Sequence, residues 1–183
     1  VLLEEAGVQD GGTWIVAEGG EEVKGASSLP MAKAMDDILV AYAMNGEAVR
    51  PQQGFPLRLL VPGFEGIFNV KWLRRIKVVD QYYMTYNDYG HLNRRDDEAG
   101  AALGMLIGPK SVITFPSGEQ QLPSRGFYEI SGLAWSGGGA IRRVEVSTDG
   151  GRRWMDAEIR GTAYRMAHTR FSFNWNWDGK ETE

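Results

Sequence analysis

Short apolar runs punctuated by Gly, Pro and Asn-Gly dominate the hydrophobic pattern of this chain, and most of them predict strands. The opening "VLLEEAGVQDGG" reads as the tail of a helix stopped by glycines, and "TWIVAEGG" (13–20) as a buried strand ended by Gly-Gly. "SSLPMAKAMDD" predicts a helix with Ser28 as its N-cap and Pro30 and Met31 in the first turn. "ILVAYAMNGEAV" (38–49) is β-rich, and its Asn45-Gly46 pair predicts a tight hairpin. "FPLRLLVPG" and "FNVKWLRRIKVVD" are both extended by pattern. Between residues 81 and 105 the text turns aromatic, polar and then charged without a steady period. That predicts a long irregular stretch, of the kind that in compact domains carries function or is disordered.

From residue 111 the character changes again. "SVITFPSGEQQLPSRG" holds two Pro-containing turn clusters and reads as a linker. Beyond it, "FYEISGLAWSGGGAIRRVEVSTDGGRRWMDAEI" predicts two or three strands joined by Gly-rich and Asp-Gly-Gly turns, the spacing of a sandwich. "RFSFNWNWDGK" sets Phe171, Phe173, Trp175 and Trp177 against Ser172, Asn174 and Asn176, the period of a half-buried strand. So few strands do not cover both inner faces of a sandwich, so further chain is expected downstream. The pattern shows no internal repeat. The fold class expected is α+β: residues 1–110 as part of a mixed domain, and 111–183 as an incomplete all-β sandwich.

Two cations interrupt this pattern. In "LRLLV", Leu57, Leu59 and Val61 share one strand face, and Arg58 shares the other with Leu60. In "FNVKWL", Phe68, Val70 and Trp72 oppose Asn69, Lys71 and Leu73. A charge in such company costs several kcal/mol (roughly) unless it is paired. One reading is a sheet whose second face is wet, with both cations snorkelling into solvent. The other is an anion pocket, with Arg58 bidentate to a phosphate, Lys71 a point charge, and backbone N–H groups near Gly63 and Gly66 close by. The two cations meet only if the register between their strands brings them together.

Composition narrows the function classes. The 183 residues, 43% hydrophobic and 24% charged, describe a folded chain with enough mass for a real core. A net charge of −4 leaves no basic excess for nucleic acid. No apolar run approaches the ~18 residues of a membrane span, and no signal peptide is seen. The absence of cysteine excludes disulfides, thiolate nucleophiles and Cys-based metal sites within these residues. His91 and His168 stand apart, without metal-pair spacing, and read as structural. Arg74, Arg75 and Lys77 read as a solvated face or a partner site. Tyr82, Tyr83, Tyr86 and Tyr89 read as rim packing, with a substrate hydrogen bond as the sharper alternative. Asp36-Asp37 and Asp96-Asp97-Glu98 read as a helix turn and a loop charge run. Trp135 and Trp154 read as core or interface aromatics. Gly137-Gly138-Gly139 is followed by strand-like text rather than a helix, so it is no phosphate loop.

"GFPLRLLVPG…NVKWLRRIKV" followed by "GLAWSGGGAIRRVEVSTDGGRRW", with "AEGG…GASSLPMAKAMDD…LVAYAMNGE" before them, resembles the sulfite oxidase family of molybdenum enzymes over nearly the whole chain. Within it, "QGFPLR", "RFSFNWNWDGK" and "KSVIT.PSG" are most similar to the sulfane dehydrogenase branch of bacterial sulfur oxidation. The resemblance implies the C-terminal half of a molybdopterin-binding domain followed by an immunoglobulin-like dimerisation domain. It also implies a molybdopterin cofactor, a homodimer, a c-type cytochrome as electron acceptor and a periplasmic location. The activity implied is oxidation of sulfite or sulfane sulfur.

Residue by residue, the resemblance makes Arg58 the phosphate-side arginine, and Asn69, Val70 and Lys71 the segment lining the cofactor through backbone and the Lys side chain. Gln53 stands where the family has a His on the pterin. Glu21 lies where a family Asp contacts the cofactor, and Tyr89, in "NDYG", corresponds to the substrate-site Tyr. Two departures accompany this. The family's molybdenum ligand is a cysteine, which this chain lacks, and a further family Arg would lie beyond Glu183. The expectation is therefore an incomplete chain, inactive alone. Rival readings are a plain sulfite dehydrogenase, an assimilatory nitrate reductase, or a non-catalytic β-sandwich dimerisation module.

Overall fold

Antiparallel pairing organises the first half of the chain around one three-stranded sheet. A computed structural model of the protein describes residues 1–20, 25–86, 88, 104–118 and 120–179. After a single helical turn α1 (Leu2–Glu5) come β1 (Trp14–Gly19) and β2 (Ala26–Pro30). The sheet order is β2-β1-β7, with β7 spanning Leu73–Val79. Alternation in β1 sends Ile15 and Ala17 inward, opposite Leu29 and Ser27 on β2. On the other side Glu18 lies opposite Arg75 and forms ion pairs with Arg75 at 2.5 Å and Lys77 at 3.4 Å. Those two members of the basic run are thus partnered within the sheet, and Arg74 is exposed.

The helix α2 (Met31–Asp36) begins after Pro30, not with a serine cap. Ser28 sits inside β2, fully buried, and its hydroxyl donates to the Tyr83 carbonyl. The sheet captured the residue that local preference assigned to a helix end. The β-rich run 38–49 forms three short strands, β3 (Leu39–Ala41), β4 (Ala43–Met44) and β5 (Glu47–Ala48). β4 and β5 close the expected hairpin, and Asn45 and Gly46 both take positive φ, 53° and 82°.

β6 (Arg58–Leu60) pairs with β3, not with β7. Between β6 and β7 lie a 3₁₀ turn at Gly66–Phe68 and an irregular stretch, so the extended run expected from Phe68 begins only at Leu73. Leu59, Val61, Phe68 and Val70 are buried with Ile15, Ala17, Leu29 and Met105 in one cluster. Each large side chain in it contributes about 1.5–3 kcal/mol by leaving water.

The chain divides into two units, Val1–Leu106 and Ile107–Glu183. The second carries a four-stranded antiparallel sheet ordered β12-β13-β9-β8, from β8 (Lys110–Phe115), β9 (Gly126–Trp135), β12 (Glu158–Arg160) and β13 (Thr169–Trp177). A small sheet of β10 (Glu145–Val146) and β11 (Met155–Asp156) completes the all-β pattern. Residues 111–115, read above as linker, form most of the edge strand β8. Gly132 lies opposite Phe171, and a Cβ there would strike the Phe171 ring and the Val112 carbonyl. Trp175 and Trp177 share the Phe171 face as expected. Ser172, on the opposite face, is nonetheless buried and accepts from Arg160 Nε at 2.7 Å, while that guanidinium also meets Glu129 and Glu158.

Candidate anion-binding site

Pro51 begins a 3₁₀ turn, Pro51–Gln53, that Gly54 ends at φ 108°. Proline pre-sets the backbone of the turn, and glycine alone reaches that closing angle without strain. The turn is pinned twice more: Gly54 N–H donates to Pro51 O, and Trp72 N–H donates to Gly54 O at 3.3 Å. A Cβ at position 54 would lie 2.9 Å from both Cα and Cβ of Lys71, so turn and Lys71 backbone touch directly.

This contact brings the two sequence-predicted cations to one place. Arg58 Nη1 donates to the Gln53 carbonyl at 3.1 Å, and Lys71 Nζ donates to the Gln52 carbonyl at 2.8 Å. They converge on consecutive carbonyls of one turn, although Lys71 lies in irregular chain rather than in a strand paired with β6. Leu59 N–H donates to Val70 O and Leu73 N–H to Leu57 O, which sets the segments side by side without a regular ladder. The carbonyl dipoles orient both cations but leave their charge in place. No ion pair to either occurs among the described residues. Arg58 Nε is cut off from solvent and has no hydrogen-bond partner among the described residues. Arg58 is half-buried, with Nη1 in an exposed hydrogen bond and Nε the donor without a partner among the described residues. A buried unmet donor on a cation is what an anionic ligand would satisfy.

The other predicted residues separate into roles. Gln53 contributes its backbone carbonyl to this arrangement. Asn69 spends its side chain internally: Oδ1 accepts from Val61 N–H at 2.9 Å and Nδ2 donates to Glu65 O at 3.3 Å. Val70 is buried in the core, and its carbonyl is taken by Leu59. Gly63 and Gly66 lie past the far end of β6 from Arg58 and do not join the two cations. Glu21 and Tyr89, like His91 and Asp96-Asp97-Glu98, fall outside the described residues. Tyr82 packs edge-on against Trp14, and His168 against Trp135.

Sequence reasoning did not single out Gly54 or Trp72. Trp72 takes φ 48°, which no pattern of polarity announces. The Pro-x-x-Gly spacing at 51–54 was the available signal for the turn. Elsewhere in the first unit an open hollow of about 430 Å³ lies between residues 3–12 and the end of β7, and it includes none of the predicted site residues. No cluster of three or more metal-binding side chains and no membrane-spanning helix occurs among the described residues.

Comparison with known proteins adds to this geometry. The oxidoreductase molybdopterin binding domain family matches residues 1–87, and the Mo-co oxidoreductase dimerisation domain family matches 105–179. The mitochondrial sulfite oxidase of Rattus norvegicus is 38% identical over 168 residues, which is 81% of this chain and 29% of that protein. The NADH nitrate reductase of Cichorium intybus is 32% identical, over 96% of this chain and 22% of its own length. The crystal structure of the sulfane dehydrogenase SoxCD from Paracoccus pantotrophus superposes with a TM-score of 0.90 at 43% identity, over 99% of this chain and 47% of that one. The chain thus spans under a third of those curated relatives and less than half of the solved structure.

Proposed function

The chain belongs to the sulfite oxidase family of molybdopterin oxidoreductases, and on that premise we propose that it forms the anion-holding side of the cofactor site in an enzyme oxidising sulfur compounds. The observation that carries this is the convergence of Arg58 and Lys71 on adjacent carbonyls, uncompensated by any acidic side chain among the described residues. The unmet Arg58 Nε fits a phosphate monoester, which accepts from a guanidinium fork and a lysine point charge together. Molybdopterin, once held there, supplies the two-electron redox chemistry.

The residues of this chain have separate tasks. Arg58 and Lys71 bind the acidic tail. Gln53 and Gln52 aim them through their carbonyls. Asn69 and Val70 hold the cofactor-lining segment against β6. Glu21 is proposed as an additional cofactor contact and Tyr89 as a donor to substrate. The second unit forms the homodimer contact. Electrons leave to a c-type cytochrome in the periplasm. A sulfur substrate is favoured over nitrate because identity is 43% to the sulfane dehydrogenase over 99% of this chain, against 32% to 38% to the nitrate reductases.

The test uses the protein expressed from its complete reading frame. Arg58→Ala and Lys71→Ala are expected each to lower pterin content, read by fluorescence after oxidative release, by at least about tenfold, as removal of a charged hydrogen bond predicts. Unchanged pterin content in both would refute the assignment. Rates with sulfite and with a protein-bound sulfane sulfur then separate the two sulfur substrates.

A further inference from the structure

Trp72 is a bulky aromatic residue at φ 48°, where glycine or asparagine would sit without comparable strain. Its backbone ties two segments to the site: the N–H donates to Gly54 O, and the C=O accepts from Gly20 N–H at 2.9 Å. Neither bond needs an indole. The side chain is also absent from the half-buried hydrophobics that pack on the core of the first unit. Among the described residues its ring meets the preceding residue's charge, for Lys71 Nζ lies 5.7 Å from the indole centroid. The Lys71 backbone is hemmed in as well: a Cβ on Gly54 would meet it at 2.9 Å, and one on Gly19 would meet its carbonyl at 2.6 Å.

We infer that Trp72 is a positioning residue: its left-handed backbone turns the indole beneath the Lys71 ammonium and holds that charge over the Gln52 carbonyl, beside Arg58, in the geometry an anion requires. Lys has four rotatable bonds and would otherwise sample solvent. A carbonyl on one side and an aromatic face on the other restrict it without neutralising it. An acidic partner would restrict it too, but would cancel the field the site needs. The strain at position 72 is retained because glycine, although unstrained there, offers no face.

The inference rests on the proposed cofactor site, and its experiment has a readout independent of that site. Trp72→Asn keeps a residue that tolerates the left-handed region and removes the ring, while Trp72→Phe keeps a ring. The first measurement is the rate at which Lys71 is acylated by a water-soluble active ester, read by peptide mass spectrometry, in the protein from the complete reading frame. In Trp72→Asn the rate is expected to rise about threefold, the scale of a half-exposed cation–π contact. In Trp72→Phe it is expected to stay near the parent value. The second measurement is pterin retention against salt, where Trp72→Asn is expected to lose cofactor at lower ionic strength than parent or Trp72→Phe. An unchanged Lys71 rate in Trp72→Asn overturns the inference. So does a raised rate in Trp72→Phe equal to that in Trp72→Asn, or pterin retained equally by all three. If Arg58→Ala and Lys71→Ala keep the cofactor, the site assignment falls, and the acylation rates still decide whether Trp72 holds Lys71.

Discussion

Replacing Gly54 with alanine perturbs the one place where the turn and the cofactor-lining segment touch. The added Cβ lies 2.9 Å from Lys71 Cα and Cβ and 3.1 Å from Trp72 N, two of them backbone atoms that cannot swing aside. Its φ of 108° also lies past the left-handed basin open to other residues. Backbone strain of that kind costs about 1–3 kcal/mol, and overpacking costs about 1–3 kcal/mol. Alanine's smaller unfolded-state entropy offsets roughly 0.4–1 kcal/mol. The net loss is therefore roughly 1–5 kcal/mol, which for a unit of this size lowers the thermal midpoint by roughly 5–25 °C. Scanning calorimetry of Gly54→Ala reads this directly in the transition of the first unit. Relief of the clash requires Lys71 to move away from the turn, so pterin retention is expected to fall as well. A destabilisation under about 0.5 kcal/mol, the scale of an ordinary surface change, would refute the claim that Gly54 is held at backbone contact.

Asn69→Ala removes the acceptor of Val61 N–H, on a residue only 2% exposed, and is expected to cost about 1–3 kcal/mol in urea unfolding. The Glu18 carboxyl is held below its ordinary value of 4.5, first by the hydrogen bond from Arg75, against a smaller desolvation effect. A depressed folded-state pKa means that the unfolded chain binds the proton more readily as pH falls. The stabilisation is then complete above 4.5 and is lost as pH drops through the lower folded value. The stability gap between parent and Glu18→Gln should accordingly be constant at neutral pH and shrink in acid. It should also narrow in high salt, since Arg75 is 56% exposed. A gap that widens below 4.5 would contradict this account.

The legible parts of the fold were those where a local rule and the tertiary structure agree. The Asn45-Gly46 turn, the strand at 14–19 and the one-sided aromatics of β13 follow from φ preference, an apolar run stopped by glycines and the two-residue strand period. Ser28 went astray because a serine before a helical run has two uses, and the sheet made the stronger demand: a buried hydroxyl with its own carbonyl partner. The edge strand at 110–115 read as a linker because its residues are almost all exposed, so no face is marked by polarity. Of the candidate site, Arg58 and Lys71 stood out because a cation in apolar surroundings is costly wherever it lies.

Sequence alone determined that two charges had been placed among apolar residues, and it left open whether solvent or an anion meets them. It also carried, in the phrases around them, the family to which the chain belongs. Whether those charges meet was settled only in three dimensions, since β6 pairs with β3 and not with the segment that carries Lys71. Their meeting depends instead on a glycine at backbone contact with Lys71 and on two carbonyls facing the cations. Carbonyl direction and close approach are properties of φ, ψ and the packing of distant segments, and neither leaves a mark on the order of polar and apolar residues.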